Sequence, residues 1–166
     1  MADRRGRILV VDDSRLIRMK LAYDLKQQGH TVAVAENGQQ ALKMMRQYPF
    51  DVVLLDIMMP EMNGYEVLEQ MKSDNALRDI PVIVISALDE MDSVVRCIEM
   101  GAEDHLPKSF EPVLLRARIG ACLEKKHWRD QEQAYLKQLQ VEREKSERLL
   151  LNVLPAPIAD RLKQGE

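Results

Sequence analysis

Short apolar runs alternate with amphipathic stretches along residues 7 to 110. The runs are RILVV (7–11), TVAVA (31–35), DVVLLD (51–56), PVIVIS (81–86) and the weaker AEDHLPK (102–108). Such runs are typical of strands buried on both faces of a parallel sheet. The stretches between them have apolar residues near helical spacing, and the first, SRLIRMKLAYDLKQQG, ends at Gly29, a helix stop signal. Five strand-then-helix units predict right-handed crossovers and a parallel sheet covered by helices on both faces.

The chain changes character from about Pro112. Residues 113–154 contain no proline and a single glycine, Gly120, and charges of both signs dominate. This pattern predicts one long helix, or two helices joined end to end. An a/d series runs through Trp128, Glu132, Tyr135, Leu139, Glu142, Ser146, Leu149 and Val153. Five of these eight residues are apolar. The series favours a dimeric coiled coil over 122–154 with polar layers. The alternative is a solvated single helix, which is only marginally stable in water.

Composition limits the classes of function. The 166 residues hold one ordinary domain with some chain left over, and they are 46% hydrophobic and 31% charged, as in a soluble globular protein. A net charge of −3 argues against a nucleic-acid-binding surface, which normally carries a basic excess. Cys97 and Cys122 lack metal or redox spacing, and no apolar run approaches the ~20 residues of a membrane span or forms a signal peptide. We therefore expect a cytoplasmic protein with no nucleic-acid or membrane partner.

Carboxylates follow two of the predicted strands. Asp12 and Asp13 come directly after the first strand, and Asp56 ends the third. With strands one and three adjacent, these acids meet at the carboxyl edge of the sheet, where they repel one another unless a cation lies among them. Hard, partly hydrated oxygen ligands suit Mg²⁺. Asp12-Asp13-Ser14 also fits a second interpretation, a helix N-cap with acids at the helix N-terminus, whereas the IMMP segment after Asp56 starts no helix that this acid could cap.

A hydroxyl and an amine fall at the same edge. Ser86 ends strand four and Lys108 follows strand five, although either alone also fits an ordinary turn hydroxyl or a surface lysine. Together with the acids they form the set that phosphoryl transfer to a carboxylate needs. The carboxylate acts as nucleophile, Mg²⁺ neutralises the transferring oxygens, and the hydroxyl and ammonium hold the phosphoryl group.

Four motifs in order resemble the receiver domain of two-component response regulators: VVDDS, VLLDIMMPEMNGYEVL, VIVISA and LPKSFEP. The resemblance covers residues 7 to about 121. It implies an α/β fold with a five-stranded parallel, doubly wound sheet of the flavodoxin-like order 2-1-3-4-5. It also implies that a histidine kinase phosphorylates Asp56. Mg²⁺ is then bound by Asp13, Asp56 and the backbone carbonyl of Met58, with Asp12 assisting through water.

The same resemblance assigns the remaining site residues. Ser86 is the switch hydroxyl, and Lys108 pairs with the phosphorylated site. Two positions depart from the family pattern. Lys108-Ser109 replaces the usual Lys-Pro with its cis bond, so we expect either a shifted Lys108 or a strained bond before Ser109. His105 stands where the family has its switch aromatic, and an imidazole can also titrate near neutral pH.

The tail LLLNVLPAPIADRLKQGE (149–166) predicts a helix end, a break at Pro155 and Pro157, and a short helix closed by Gly165. A local hydrophobic plug on the coiled coil is an alternative. The pattern also resembles the transducer segment that precedes the catalytic domain of class III adenylate and guanylate cyclases. We therefore expect a receiver domain (1–121), a coiled-coil signalling helix (122–154) and a transducer segment (155–166) leading to an absent output domain.

The sequence is compatible with three functions. The leading hypothesis is a dimeric, phosphorylation-controlled regulatory fragment, not itself an enzyme, that governs a downstream nucleotide cyclase. The second is a dimeric adaptor or regulator of another output domain or partner, with no cyclase. The third, an aspartyl phosphatase, is disfavoured because those enzymes carry a second acid two residues after the nucleophile, where this chain has Met58.

Overall fold

Five strands and five helices alternate along the part of the chain that this computed structural model describes, residues 4–87, 89 and 91–153. The strands are β1 (Arg7–Val11), β2 (Thr31–Ala35), β3 (Val52–Asp56), β4 (Val82–Ser86) and β5 (Asp104–Pro107). The helices are α1 (Arg15–Gln27), α2 (Gly38–Gln47), α3 (Gly64–Ser73), α4 (Met91–Glu99) and α5 (Pro112–Val153). The strands form one parallel sheet in the order β2-β1-β3-β4-β5. The predicted fold class and strand order are confirmed.

Each face of the sheet has its own hydrophobic core. On one face the strands pack against α2, α3 and α4, which contribute Leu42, Leu68 and Cys97. On the other face they pack against α1 and α5, which contribute Leu21 and Leu115. Successive strand side chains point to opposite faces, so both faces of a doubly covered sheet must be apolar. This requirement explains why the strands are continuous apolar runs, with every residue of β3 and β4 buried.

Helix α5 is unbroken from Pro112 to Val153, so one long helix forms and not two. The chain divides within it: described residues up to Lys126 form one compact unit, and those from His127 form a second. The predicted transducer segment 155–166 lies outside the described residues. No helix in the described part of the chain is long and apolar enough to cross a membrane.

The first turns of α5 belong to the core of the domain. Leu115, Ile119 and Leu123 are buried against the sheet. Beyond them, the Nζ of Lys126 lies 3.6 Å from Oδ1 of Asp51, the residue that precedes β3. The helix is therefore anchored to the sheet along its N-terminal part by apolar contacts and near its exit by an ion pair.

Two glycines offer a matched test of the packing around β3. A Cβ on Gly64 would lie 2.6 Å from the Asp56 carbonyl oxygen and 2.7 Å from the Ile57 Cα, both backbone atoms that cannot move aside. We expect Gly64→Ala to lower the free energy of unfolding by about 1–3 kcal/mol. In contrast, a Cβ on Gly120 meets nothing within 4 Å on the exposed side of α5, so Gly120→Ala should raise it by up to about 1 kcal/mol. Urea unfolding measures both, and equal effects of the two substitutions would contradict this account.

Candidate functional site

Three acids meet at the carboxyl edge of the sheet. Asp12 and Asp13 follow β1, Asp56 ends β3, and these strands are direct neighbours. One carboxylate oxygen from each acid lies within 4.8 Å of the other two. Asp12 and Asp56 have no exposed surface, whereas Asp13 is exposed. The cluster predicted from the sequence is therefore present, closed on the protein side and open to solvent on the Asp13 side.

Backbone contacts hold Asp12 in place. Its N–H donates to the Ala35 carbonyl oxygen at 3.2 Å, and its Oδ1 accepts from the backbone N–H of Ser14 at 2.8 Å. Helix α1 is capped by Ser14, whose Oγ accepts from the backbone N–H of Ile17 at 3.5 Å. The expected N-cap is therefore present at Ser14, whereas the two acids lie before the first turn of α1 and not within it.

Asp56 is held by the loop that follows it. Its Oδ1 accepts from the backbone N–H of Met58 at 3.3 Å. Gly64 donates its N–H to the Ile57 carbonyl oxygen at 2.8 Å, which brings the start of α3 directly against the end of β3. The Oδ1 of Asn63 accepts from the N–H of Glu66 at 3.0 Å and caps α3. These hydrogen bonds close the loop between β3 and α3 tightly against the end of β3.

Lys108 and Ser86 join the acids from the neighbouring strands. The Nζ of Lys108 lies 3.3 Å from Oδ1 of Asp56, and the backbone N–H of Lys108 donates to the Ser86 carbonyl oxygen at 2.8 Å. The Ser86 side chain is buried. No peptide bond is cis in the described residues, so the Lys108–Ser109 bond is trans. The expected alternative of a strained cis bond is therefore wrong, and the Lys108 ammonium reaches Asp56 from a trans backbone.

Burial and charge repulsion raise the pKa values of Asp12 and Asp56. Burial is the largest cause that raises the pKa of Asp56, from 3.8 to about 7, and the Asp12 charge adds to the rise. Burial also raises the pKa of Asp12, opposed by its hydrogen bond from Ser14. The Lys108 ammonium lowers the pKa of both acids but does not cancel the effect of burial. The pocket is consequently short of positive charge.

The arrangement fits a magnesium ion. The Oδ2 atoms of Asp12 and Asp56 are both buried without a hydrogen-bond partner in the described part of the chain. Buried anionic oxygens normally have a partner, and hard oxygen ligands with one open side are what Mg²⁺ requires. A cation held between these two atoms and Asp13 would satisfy both.

His105 lies on β5 but outside the acid cluster. Its Nδ1 is 3.8 Å from Oδ1 of Asp104, which also accepts from the His105 backbone N–H at 2.8 Å. The other oxygen of Asp104 accepts from Nη1 of Arg118 at 2.9 Å. His105 therefore contacts Asp104, whose ion pair with Arg118 links β5 to α5. The same strand, β5, leads directly to Lys108.

Sequence reasoning missed one residue at this edge. Arg18, on α1, donates from Nη1 to the carbonyl oxygen of Asp12 at 2.8 Å, and its Nη2 lies 3.8 Å from Oε1 of Glu36. Nothing in the motif spacing marks Arg18, because its target is a backbone atom. Its one signal is position, since it lies one helical turn past the cap Ser14 and so on the same side of α1.

Comparison with known proteins identifies the family. Residues 8–120 match the response regulator receiver domain. Response regulator MprA of Mycobacterium ulcerans (strain Agy99) is 40% identical over 128 residues, which are 77% of this chain and 54% of that protein. The "Probable transcriptional regulator ycf27" of Guillardia theta is 39% identical over 119 residues, 72% of this chain and 46% of that protein. The chain thus spans about half the length of these curated relatives.

Solved structures show the same likeness. The receiver domain of a signal transduction histidine kinase from Syntrophus aciditrophicus has a TM-score of 0.67 at 32% identity, covering 72% of this chain and 91% of that one. NtrX from Brucella abortus has a TM-score of 0.75 at 27% identity, covering 80% of this chain and 30% of that one. The order of the strands, the acids at their carboxyl edge and the match over residues 8–120 agree: the chain belongs to the response regulator receiver domain family of two-component signalling.

Proposed function

We propose that this chain is a phosphoacceptor switch in which Asp56 receives a phosphoryl group from a histidine kinase. The supporting observation is the placement of Asp56, fully buried at the end of β3, inside the acid cluster and 3.3 Å from Lys108. In the proposed transfer a carboxylate oxygen of Asp56 attacks phosphorus. The bond from phosphorus to the donor imidazole nitrogen breaks, and its electron pair leaves with the donor.

The surrounding groups divide the remaining work. Asp12, Asp13, Asp56 and the backbone carbonyl of Met58 would hold Mg²⁺, which when bound neutralises charge on the transferring oxygens. The Lys108 ammonium and the Ser86 hydroxyl hold the phosphoryl group on Asp56. The exposed side of the cluster leaves room for the donor, and the buried side keeps water away from the acyl phosphate.

Transmission to the rest of the chain follows the two strands beside the pocket. Lys108 is hydrogen-bonded through its backbone to Ser86, so a pull on either side chain moves both strand ends. His105 lies on the same strand and, as the proposed switch side chain, changes position with Ser86. The Asp104–Arg118 ion pair at 2.9 Å then connects β5 to α5. A local charge change at Asp56 is thereby passed to the long helix.

The part of α5 beyond Lys126 is proposed to pair with a second copy of the chain. Four members of the predicted seam have 43–68% of their surface exposed in the single chain: Trp128, Tyr135, Leu139 and Leu149. A helix of this length is only marginally stable by itself, and a parallel partner covers the same stripe. Glu132, Glu142 and Ser146 interrupt the seam, which favours two closely balanced arrangements of the dimer.

The proposed output is a class III nucleotide cyclase domain, and the resemblance of residues 149–166 is its only support. Gene regulation is the second candidate, favoured because curated relatives such as ycf27 are named transcriptional regulators. The match to ycf27 covers 72% of this chain but 46% of that protein, so the name of that relative does not decide the output of this chain. The coding sequence after the codon for Glu166 distinguishes a cyclase domain from a DNA-binding domain. Either output is consistent with a cytoplasmic protein.

Phosphorylation is tested by intact-mass spectrometry after treatment with acetyl phosphate and Mg²⁺. The wild-type chain should gain one phosphoryl group, and Asp56→Asn or excess EDTA should abolish the gain. Asp51→Asn is the matched control, because Asp51 precedes the same strand at its opposite end, and it should be phosphorylated normally. A wild-type chain without adduct, or an adduct that persists in Asp56→Asn, would contradict the proposal.

The raised pKa of Asp56 predicts an unusual pH dependence in the absence of metal. The folded chain keeps a proton on Asp56 up to about pH 7, whereas the unfolded chain releases it near 3.8. Because the folded pKa is the higher one, stability in EDTA should fall as the pH rises from about 4 to 7. Asp56→Asn should show a smaller fall, because burial still raises the pKa of Asp12, and it should melt at a higher temperature than the wild type at pH 8.

Thermal unfolding across this pH range measures the effect. Glu124→Gln, which removes an exposed carboxylate, serves as the control and should follow the wild type. Saturating Mg²⁺ should stabilise the wild type and reverse its order with Asp56→Asn. Parallel pH profiles of wild type and Asp56→Asn in EDTA would refute the charge account of the pocket.

The coiled-coil seam is tested by disulfide cross-linking. Leu139→Cys and Leu149→Cys should cross-link between copies, in a background where the buried Cys97 and Cys122 are replaced by alanine. Lys137→Cys, on the outer face of the heptad, should not. Acetyl phosphate with Mg²⁺ should change the ratio of the two cross-links. Equal ratios with and without phosphorylation would eliminate transmission by helix rearrangement.

A further inference from the structure

We infer that Arg18 is a positioning residue for the metal-binding acids and acts through the backbone carbonyl of Asp12. The inference rests on the proposed function, because it concerns the same pocket. Arg18 lies on α1, and only 12% of its side chain is exposed. Its Nη1 donates to the Asp12 carbonyl oxygen at 2.8 Å, the length of a strong charge-assisted hydrogen bond.

The acceptor of this bond, the Asp12 carbonyl oxygen, lies in the peptide unit that links two of the three acids. The carbonyl of Asp12 is part of the peptide plane that joins Asp12 to Asp13, and a peptide unit is rigid. Rotation of that plane would move the Cα atoms and side chains on both sides. A single hydrogen bond from Arg18 therefore restrains the backbone that carries two of the carboxylates.

The other polar atoms of Asp12 show what this bond completes. The N–H donates to Ala35, and Oδ1 accepts from Ser14. With the carbonyl held by Arg18, the remaining polar atom is Oδ2, which is buried without a hydrogen-bond partner in the described residues. The backbone is thus constrained on both sides of Asp12, and one anionic oxygen is left to face a cation.

The ion pair of Arg18 does not explain its burial. Oε1 of Glu36 is 3.8 Å from Nη2, and the Glu36 side chain is 71% exposed. Exposed pairs of this kind contribute little to stability. The contact that distinguishes Arg18 is therefore the one to the carbonyl, and the rigid guanidinium fork makes it while a second nitrogen faces Glu36. A lysine has no such fork.

A purely structural tie between β1 and β2 would affect stability without changing metal affinity. We therefore compare Arg18→Met, which keeps the apolar stem but removes every donor, with Arg18→Lys, which keeps the charge. Glu36→Gln removes the ion pair and leaves the carbonyl contact. Arg46→Met removes another arginine–carboxylate pair, with Asp74 at 3.6 Å, on helix α2.

The primary measurement is the Mg²⁺ dissociation constant of each full chain by calorimetry, with thermal unfolding in EDTA alongside. Arg18→Met should raise the dissociation constant about 10-fold, the low end for loss of a group that orients metal ligands. Arg18→Lys should show a smaller rise. Both controls should stay within about 2-fold of the wild type, as expected for exposed pairs.

A kinetic measurement adds an independent criterion. With acetyl phosphate as donor, the Mg²⁺ concentration for half-maximal phosphorylation should rise in Arg18→Met, while the rate at saturating Mg²⁺ changes less. Wild-type Mg²⁺ affinity in both Arg18 variants, even with a lowered melting temperature, would overturn the inference. If Arg18→Met does not fold, wild-type affinity in Arg18→Lys overturns it alone. Failure of the wild type itself to bind Mg²⁺ would overturn the proposed function and the inference together.

Discussion

Repulsion between carboxylates brought together at one edge of a buried sheet is the constraint on which this molecule depends. Asp12 and Asp56 have no exposed surface, and in the described part of the chain the Lys108 ammonium, 3.3 Å from Asp56, offsets their charge in part. An arrangement that is unfavourable in the isolated chain becomes favourable when a cation balances the negative charge. A change of charge at this edge therefore alters the free energy of the folded chain.

The fold is organised to keep these acids from relaxing. The apolar runs of β1 and β3 cannot slide without exposing one core or the other, so the positions of the strand ends are fixed by packing on both faces. Gly64 lets α3 start against the backbone of Asp56 and Ile57, and Arg18 holds the carbonyl of Asp12 from the opposite side. The packed scaffold therefore keeps the acids close together despite the repulsion between their charges.

Much of this could be predicted from the sequence, and the failures have physical reasons. Apolar runs placed the strands correctly, and acids directly after two of them predicted the cluster. The sequence left open a shifted Lys108 or a strained bond before Ser109; the bond is trans, and the backbone of Lys108 is hydrogen-bonded to Ser86 without it. Arg18 was missed because side-chain-to-backbone contacts leave no spacing signature. Heptad spacing and transducer residues in 122–166 still predict a dimer and an output that no contact within one chain can test.

Strand β3 joins two acids with different contacts, so a substitution within the strand affects both of its ends. Asp56 stands at its carboxyl end, and just before its amino end Asp51 binds both Lys126 of α5 and the backbone N–H of Arg7. The four residues between them are completely buried, and five steps of extended chain separate the two acids by about 17 Å. A substitution inside β3 therefore shifts the chemical end and the helix anchor together. The proposed phosphoacceptor at one end and the anchor of α5 at the other therefore depend on the same buried residues and cannot vary independently through this strand.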